Sequence, residues 1–247
     1  MSVAIITGAS RGIGAATAKL AARKGYSVIV NYHRNEEAAN TVVEQINVNG
    51  GSALAIAADV SVESQVMRLY EETLSKFGRI DALVNNAGVL EQAMKLESMT
   101  VERMNRVFST NVIGSMLCAR EAIKHMSFKN GGSGGGIVNV SSIAAVLGAP
   151  GEYVDYAASK GAIDTFTKGL AIEVADDGIR VNTVRPGVIY TDIHASGGEP
   201  DRVDRIKQSV PMQRGGTAEE VANVILWLLS DEASYMTGAL VDVTGGR

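Results

Sequence analysis

A single cysteine, Cys118, is all the thiol chemistry this sequence holds. No intrachain disulfide can form and a C-x-x-C metal or redox site is excluded, which fits a reducing compartment. Cys118 stands among Met116, Leu117 and Ala119 in a segment of helical pattern, where a buried, inert thiol is expected rather than a nucleophile. Histidines are equally scarce: His33, His125 and His194 are far apart and show no ligand-type spacing with acidic residues, so no metal site is predicted. Basic charge is in deficit, 23 Lys and Arg against 27 Asp and Glu, with a net charge of -4 and a pI near 5.5. Without a basic footprint to neutralise a phosphate backbone, nucleic acid is not an expected partner. Long apolar runs are missing too. The longest, such as "VILWLL", fall far short of a bilayer span, and the opening "MSVAIITGAS" enters a strand-like run without a charged leader, so the expectation is a cytoplasmic protein with no membrane partner.

What is there is an ordinary globular composition, 46% apolar and 20% charged, in 247 residues without an internal repeat or a linker. One domain spanning 1–247 is predicted. Seven strand-like runs, "VAIIT", "SVIVNY", "SALAIAA", "DALVNN", "GIVNVSS", "RVNTVRP" and "ALVDVTG", are continuously apolar rather than alternating, as strands covered on both faces should be. Helical patterns lie between them. Asn35 is placed to cap a helix carrying Ala38, Val42, Val43 and Ile46; Ser61 one with Val66, Leu69, Leu74 and Phe77; Thr217 and Glu220 form a capping-box pattern ahead of Val221, Val224, Ile225 and Leu228. The alternation predicts an α/β fold: a single doubly wound Rossmann domain whose seven-stranded, mainly parallel sheet has helices on both faces. "KNGGSGGG" at 129–136 reads as a flexible connection. The segment from Pro186 to Pro211 follows a strand end and is a long connection rich in Gly, Ser and charge; its part from Thr191 to about Pro211, polar and poorly core-forming, is expected to act as a substrate lid with Gly197 and Gly198 as hinges.

Three stretches carry chemistry. "TGASRGIG" places Gly8, Gly12 and Gly14 between the first strand and a helix, where the backbone can approach a pyrophosphate and the helix N-terminus offers free N–H groups. The order G-x-x-x-G-x-G departs from G-x-G-x-x-G, and no Lys-Ser/Thr pair follows as in a P-loop. "GGSGG" at 131–135 satisfies G-x-S-x-G, but it precedes a strand instead of following one, so Ser133 is a linker serine. In "YVDYAASK", Tyr156 stands four residues before Lys160, which puts a phenol and an ammonium one turn apart on one helix face. A free phenol titrates at a pKa of about 10, and a neighbouring cation is expected to bring it toward neutrality. Tyr153 has Ala157 four residues on, hence no cationic partner of that kind, and reads as a pocket or surface aromatic.

Together "TGASRGIG", "NNAG", "STN", "VSS", "YAASK" and "RPG" resemble, in order and spacing over the whole chain, the short-chain dehydrogenase/reductase family. The resemblance implies hydride transfer between a nicotinamide and a carbonyl or secondary alcohol, with Asn111, Ser142, Tyr156 and Lys160 as the catalytic set. Tyr156 would exchange the proton, Ser142 orient the substrate oxygen, Lys160 bind the nicotinamide ribose, and Asn111 hold a water linking Lys160 to solvent. Period-two alternation puts Ser141 on the opposite face from Ser142. Cofactor contacts implied are Gly8, Ser10, Arg11, Gly12, Ile13, Gly14, Tyr32, His33, Arg34, Asp59, Val60, Asn86, Ala87, Gly88, Tyr156, Lys160, Pro186, Gly187, Val188 and Thr191. No carboxylate follows "SVIVNY", and with Arg34 there and Arg11 in the glycine loop the expected cofactor is NADP(H), with NAD as the alternative. Substrate stays between two classes. One is a small polar carbonyl or sugar, as in glucose-1-dehydrogenase-like members; the other is a 3-oxoacyl carrier protein, whose acidic surface would want cations such as Arg103, Arg106, Lys124 and Lys129. A non-enzymatic dinucleotide sensor would be expected to lack part of the catalytic set. The resemblance also implies a homotetramer, with helices within 101–126 and 157–175 between subunits.

Overall fold

Each continuous apolar run becomes a strand in the computed structural model, which describes residues 1–247 apart from the side chain of His194, so the expectation for His194 lies outside it. The strands are β1 (Val3–Ile6), β2 (Ser27–Tyr32), β3 (Ser52–Ala57), β4 (Ala82–Asn85), β5 (Gly135–Val140), β6 (Ile179–Pro186) and β7 (Leu240–Val243). They form one sheet in the order β3-β2-β1-β4-β5-β6-β7, and every ladder is parallel.

The register explains why both faces are apolar. Ile29, Ile5, Leu83, Ile137 and Val181 pair side by side across five strands and point to one face. There they meet α3 (Glu63–Phe77), α5 (Ser115–Met126) and α7 (Val154–Glu173) through Leu69, Tyr70, Cys118, Ala122 and Leu170. The adjacent row, Val30, Ile6, Val84 and Val138, points the other way, toward α1 (Gly12–Arg23), α2 (Glu36–Val48) and α10 (Ala218–Leu229) through Ala18, Val42, Val221 and Ile225. Each such side chain, fully buried, stabilises the fold by about 1.5–3 kcal/mol. Cys118 lies in this core, and burial pushes its thiol up to about 12, so it is inert.

The helix starts test the capping expectations one by one. Asn35 Oδ1 accepts from Ala38 N at 2.9 Å, as expected. Thr217 Oγ1 accepts from Glu220 N at 3.2 Å while Glu220 Oε2 accepts from Thr217 N at 2.8 Å, a complete capping box. Thr217→Ala is expected to lower stability by about 1 kcal/mol, read as a lower urea midpoint at unchanged slope. Ser61 does not cap: α3 begins at Glu63 after Val62, and the Ser61 hydroxyl donates instead to Asp59 Oδ1 at 2.7 Å.

Two connections are more ordered than their composition suggests. In 129–136, the N–H groups of Gly132, Gly134 and Gly135 donate to the carbonyls of Ser127, Met126 and Gly178 at 2.9, 2.8 and 3.0 Å, so this is a hydrogen-bonded turn and not a flexible tether. After β6 the chain forms α8 (Ile193–Ser196) and α9 (Arg202–Ile206) over a small core of Val188, Val203 and Val210 backed by Ile206. The segment expected to be poorly core-forming therefore has a core of its own.

β1 and β4 are neighbours although the chain leaves β1 toward β2, and this reversal opens a crevice at the strands' C-terminal ends. The remaining short elements gather around it: α4 (Val101–Phe108), a π-helical turn at Ser109–Gly114, and α6 (Ala144–Leu147).

Candidate active site

The crevice holds a cavity of about 1230 Å³ running from the end of β2 to the segment before α7. Its floor is the glycine loop. Gly8 sits at φ +61°, a conformation that costs a side-chain-bearing residue, and a Cβ on Gly14 would lie 2.5 Å from both Asn86 Nδ2 and Gly8 O. The loop is braced by polar groups of neighbouring strands. Thr7 Oγ1 accepts from Asn86 N and Ala87 N at 3.0 and 2.9 Å, Asn86 Nδ2 donates to the carbonyls of Thr7 and Gly8 at 2.8 and 3.0 Å, and Gly8 N donates to Asn31 Oδ1 at 3.2 Å. Arg11, the residue preceding α1, makes no capping bond, so the first N–H groups of α1 stay open toward the cavity.

Of the cofactor contacts expected from sequence, all but Gly14 line the cavity: Gly8, Ser10, Arg11, Gly12, Ile13, Tyr32, His33, Arg34, Asp59, Val60, Asn86, Ala87, Gly88, Tyr156, Lys160, Pro186, Gly187, Val188 and Thr191. Gly14 lies behind the loop, where it lets α1 close on Gly8. Ser142, Tyr156 and Lys160 share the far end of the same space. Asn111 does not line it. It is buried in the π-helical turn, a distortion that often marks functional sites. Its amide Nδ2 donates to Val89 O and Ser159 Oγ, both at 3.1 Å, its Oδ1 accepts from Val89 N at 2.8 Å, and its backbone carbonyl accepts from Ser115 Oγ at 3.0 Å. Ser159 Oγ in turn donates to Tyr156 O at 2.7 Å, so Asn111 is tied to the helix that carries the phenol.

The two serines of "VSS" diverge as period-two alternation requires. Ser141 Oγ donates to Lys160 O at 3.1 Å and fixes α7 to β5, while Ser142 faces the cavity and its Oγ accepts from Ala144 N at 3.1 Å. Lys160 lies beside Tyr156 as the spacing predicts, with Nζ 5.5 Å from the ring centroid and donating to Val140 O at 2.7 Å. The electrostatic balance differs from the sequence expectation. Burial pushes the Tyr156 phenol up to about 12 against the opposing pull of the neighbouring Ser142 hydroxyl. Burial also pushes Lys160 down to about 8 against the pull of Asp164. In each case desolvation is the larger effect, and it favours the uncharged form of both side chains.

Tyr153 is corrected more sharply. It does have a cationic partner: Arg202 of α9 lies over its ring, 5.1 Å from the centroid, and Arg202 also pairs with Glu152 at 2.5 Å and Glu199 at 2.8 Å. The Tyr153 ring is buried in the cavity wall with its hydroxyl unpartnered. Sequence reasoning passed over Thr7, Asn31, Ser159 and Arg202. The first two did leave a signal, polar residues at the ends of otherwise apolar strand runs; the other two left none, because the contacts that matter at the site, Asn111 on Ser159 and Arg202 on Tyr153, join distant parts of the chain.

A family model described as enoyl-(acyl carrier protein) reductase matches residues 8–247. An uncharacterized oxidoreductase, YgfF, of Escherichia coli is 60% identical over the full length of both chains. A 3-oxoacyl-[acyl-carrier-protein] reductase of Synechocystis is 42% identical, covering 99% of this chain and 96% of its own. A short-chain dehydrogenase/reductase structure from Serratia marcescens superposes with a TM-score of 0.91 at 33% identity, covering 99% of this chain and 97% of that one. With the glycine cradle and a Ser, Tyr and Lys meeting at one end of the crevice, these likenesses settle that the chain belongs to the short-chain dehydrogenase/reductase family, oxidoreductases that act on CH–OH groups with a nicotinamide cofactor.

Proposed function

We propose that residues 1–247 form a single-domain, NADP(H)-dependent reductase of a small polar carbonyl or sugar, working as a cytoplasmic homotetramer. The observation that carries it is the meeting of Tyr156, Ser142 and Lys160, with Lys160 Nζ 5.5 Å from the Tyr156 ring centroid, at one end of a cavity floored by the glycine loop. The residues present fit a dinucleotide. The loop is open enough for a pyrophosphate, and α1 presents unsatisfied N–H groups to it. Bound there, the nicotinamide would supply the hydride. Tyr156 Oη donates its proton to the substrate oxygen, Ser142 Oγ holds that oxygen in place, and Lys160 Nζ holds the ribose and refills the phenol with a proton. The Asn111 carbonyl, with a lone pair beyond its bond to Ser115, holds the water that connects Lys160 to solvent.

The preference for a small substrate is supported by charge: of the four cations named for a carrier protein only Arg106 lines the cavity, and all four are paired. Arg103 binds Asp155, Arg106 binds Glu91, Lys124 binds Glu121, and Lys129 binds Asp176 and Asp177. Assembly is supported by the apolar side chains that α4, the π-helical turn, α5 and α7 leave exposed, among them Phe108, Ile113, Met116 and Ile172. No helix among the described residues is long and apolar enough to cross a membrane, and the lone buried thiol suits the cytoplasm. The second reading, reduction of a 3-oxoacyl carrier protein, is favoured by the identity to the Synechocystis reductase. NADPH consumption should be measured with hydroxylated aldehydes, ketones and sugars beside an acetoacetyl carrier protein. A kcat/KM for the best small carbonyl about tenfold or more above that for the carrier substrate is expected, a gap of about 1.4 kcal/mol. The reverse order would establish the second reading instead.

A further inference from the structure

Outside the reacting groups, one ion pair is more deeply buried than any other ion pair among the described residues. Arg103 of α4 and Asp155 in the first turn of α7 have side chains only 4% and 2% exposed. The contact is two-pronged, Nε to Oδ2 at 2.7 Å and Nη2 to Oδ1 at 3.1 Å. Each partner has one further bond. Asp155 Oδ1 also accepts from the backbone N–H of Tyr156 at 2.9 Å, and Arg103 Nη1 donates to the Gln92 carbonyl. Three separate pieces of chain therefore meet on this pair: α4, the cavity-wall segment that includes Val89, Leu90 and Glu91, and the turn that presents Tyr156.

Burying two charges is a poor way to gain stability, because desolvation offsets most of their attraction and an apolar pair of similar volume often does as well. What a forked guanidinium and a carboxylate supply, and a methionine and a leucine cannot, is direction. The α7 start needs it. Tyr153, the residue preceding α7, makes no side-chain capping bond, so the Asp155 carboxylate is what holds the first N–H groups of the helix.

We infer that Arg103 and Asp155 are positioning residues for the reaction: the pair sets the height of the Tyr156 hydroxyl over the substrate and the distance of the opposite wall at Gln92. This rests on the reading of Tyr156 as the proton donor. Misplacement of a reacting group by about 1 Å costs on the order of 10²-fold in rate.

The test separates position from stability. Arg103→Met combined with Asp155→Leu removes the charges without leaving one unpaired; Arg103→Lys keeps both charges and loses the two-pronged geometry. For the double variant, the expected result is a melting temperature and NADPH Kd close to those of the unmodified protein, kcat lower by about 10- to 100-fold, and a raised KM for the carbonyl. Arg103→Lys should show a kcat loss in the same direction with NADPH affinity kept, and it serves alone if the double variant does not fold. Unchanged kcat in either folded variant overturns the proposal, as does a kcat loss matched by equal losses of NADPH affinity and melting temperature. Tyr156→Phe in the same assay distinguishes the two failures. Turnover near normal in Tyr156→Phe overturns the proton-donor reading and the positioning role together, whereas an inactive Tyr156→Phe beside fully active pair variants overturns the positioning role alone.

Discussion

Tyr156→Phe is expected to lower turnover by on the order of 10²–10⁴-fold, the usual contribution of a general acid, while NADPH binds almost as before. The ring keeps its place on α7 and the Lys160 ammonium keeps its 5.5 Å approach to it. Lys160 also keeps its bond to Val140 O, and the brace from Ser159 to the Tyr156 carbonyl uses only backbone. Only the Oη hydroxyl and its proton are lost. Because burial holds this phenol near 12, no deprotonated form competes at neutral pH, and the deficit should be flat between about pH 6 and pH 8. Tyr153→Phe is the internal control. It deletes a hydroxyl that has no partner and leaves the Arg202 contact on the ring face, so turnover within about threefold of normal is expected, a difference of less than about 1 kcal/mol. Steady-state rates and a fluorescence titration with NADPH decide the matter. Near-normal turnover in Tyr156→Phe would remove the phenol from the mechanism.

The parts legible in the sequence are those set by local pattern. Strands flanked by helices on both faces must be apolar on both, so the seven runs could be read without knowing their neighbours, and the sheet places each one. Asn35 and Thr217 find their acceptor and donor within three residues, inside the reach of any sequence argument. Ser61 also had a helix within reach, yet its hydroxyl donates to Asp59 and caps nothing, because the path of the chain out of β3 starts α3 only at Glu63, after Val62. Lys160 shows a different limit. Spacing placed it against Tyr156, but the sign of the resulting shift depends on how much solvent each group loses, which is a property of the packed cavity. Tyr153, Arg202 and Glu152 could not be joined from sequence because Arg202 is some fifty residues away, on an α9 that its polar composition did not announce.

Arg11→Ala combined with Arg34→Ala is expected to weaken NADPH by on the order of 100-fold while changing NADH by less than about threefold, since a hydrogen bond to a charged group is worth about 1.5–3 kcal/mol. β2 ends at Tyr32, where a carboxylate would bind the adenosine ribose and repel a 2′-phosphate. Tyr32 is buried, and its phenol, pushed up by burial and by the nearby Glu36, carries no charge to attract or repel a phosphate. Asp59, a carboxylate lining this end of the cavity, is occupied. It accepts from Ser61 N and Oγ at 3.0 and 2.7 Å and lies 3.4 Å from His33 Nε2. Those hydrogen bonds, with His33 and Arg34 nearby, hold its carboxyl below the usual range despite burial. The arginines are in the opposite condition. Both line the cavity, and among the described residues neither has an ion pair; the only side-chain contact of Arg11 is a long 3.4 Å donation to Ser196 Oγ. A 2′-phosphate placed between them would receive two planar forks of donors, whereas the ribose hydroxyl of NADH would meet them at most through one neutral bond. Replacing both arginines thus removes a contact that only one cofactor can make. Parallel titrations of the unmodified and doubly substituted protein with NADPH and NADH measure it directly. Equal weakening of the two cofactors, or an unmodified protein that binds NADH as tightly as NADPH, would take the preference away from these residues.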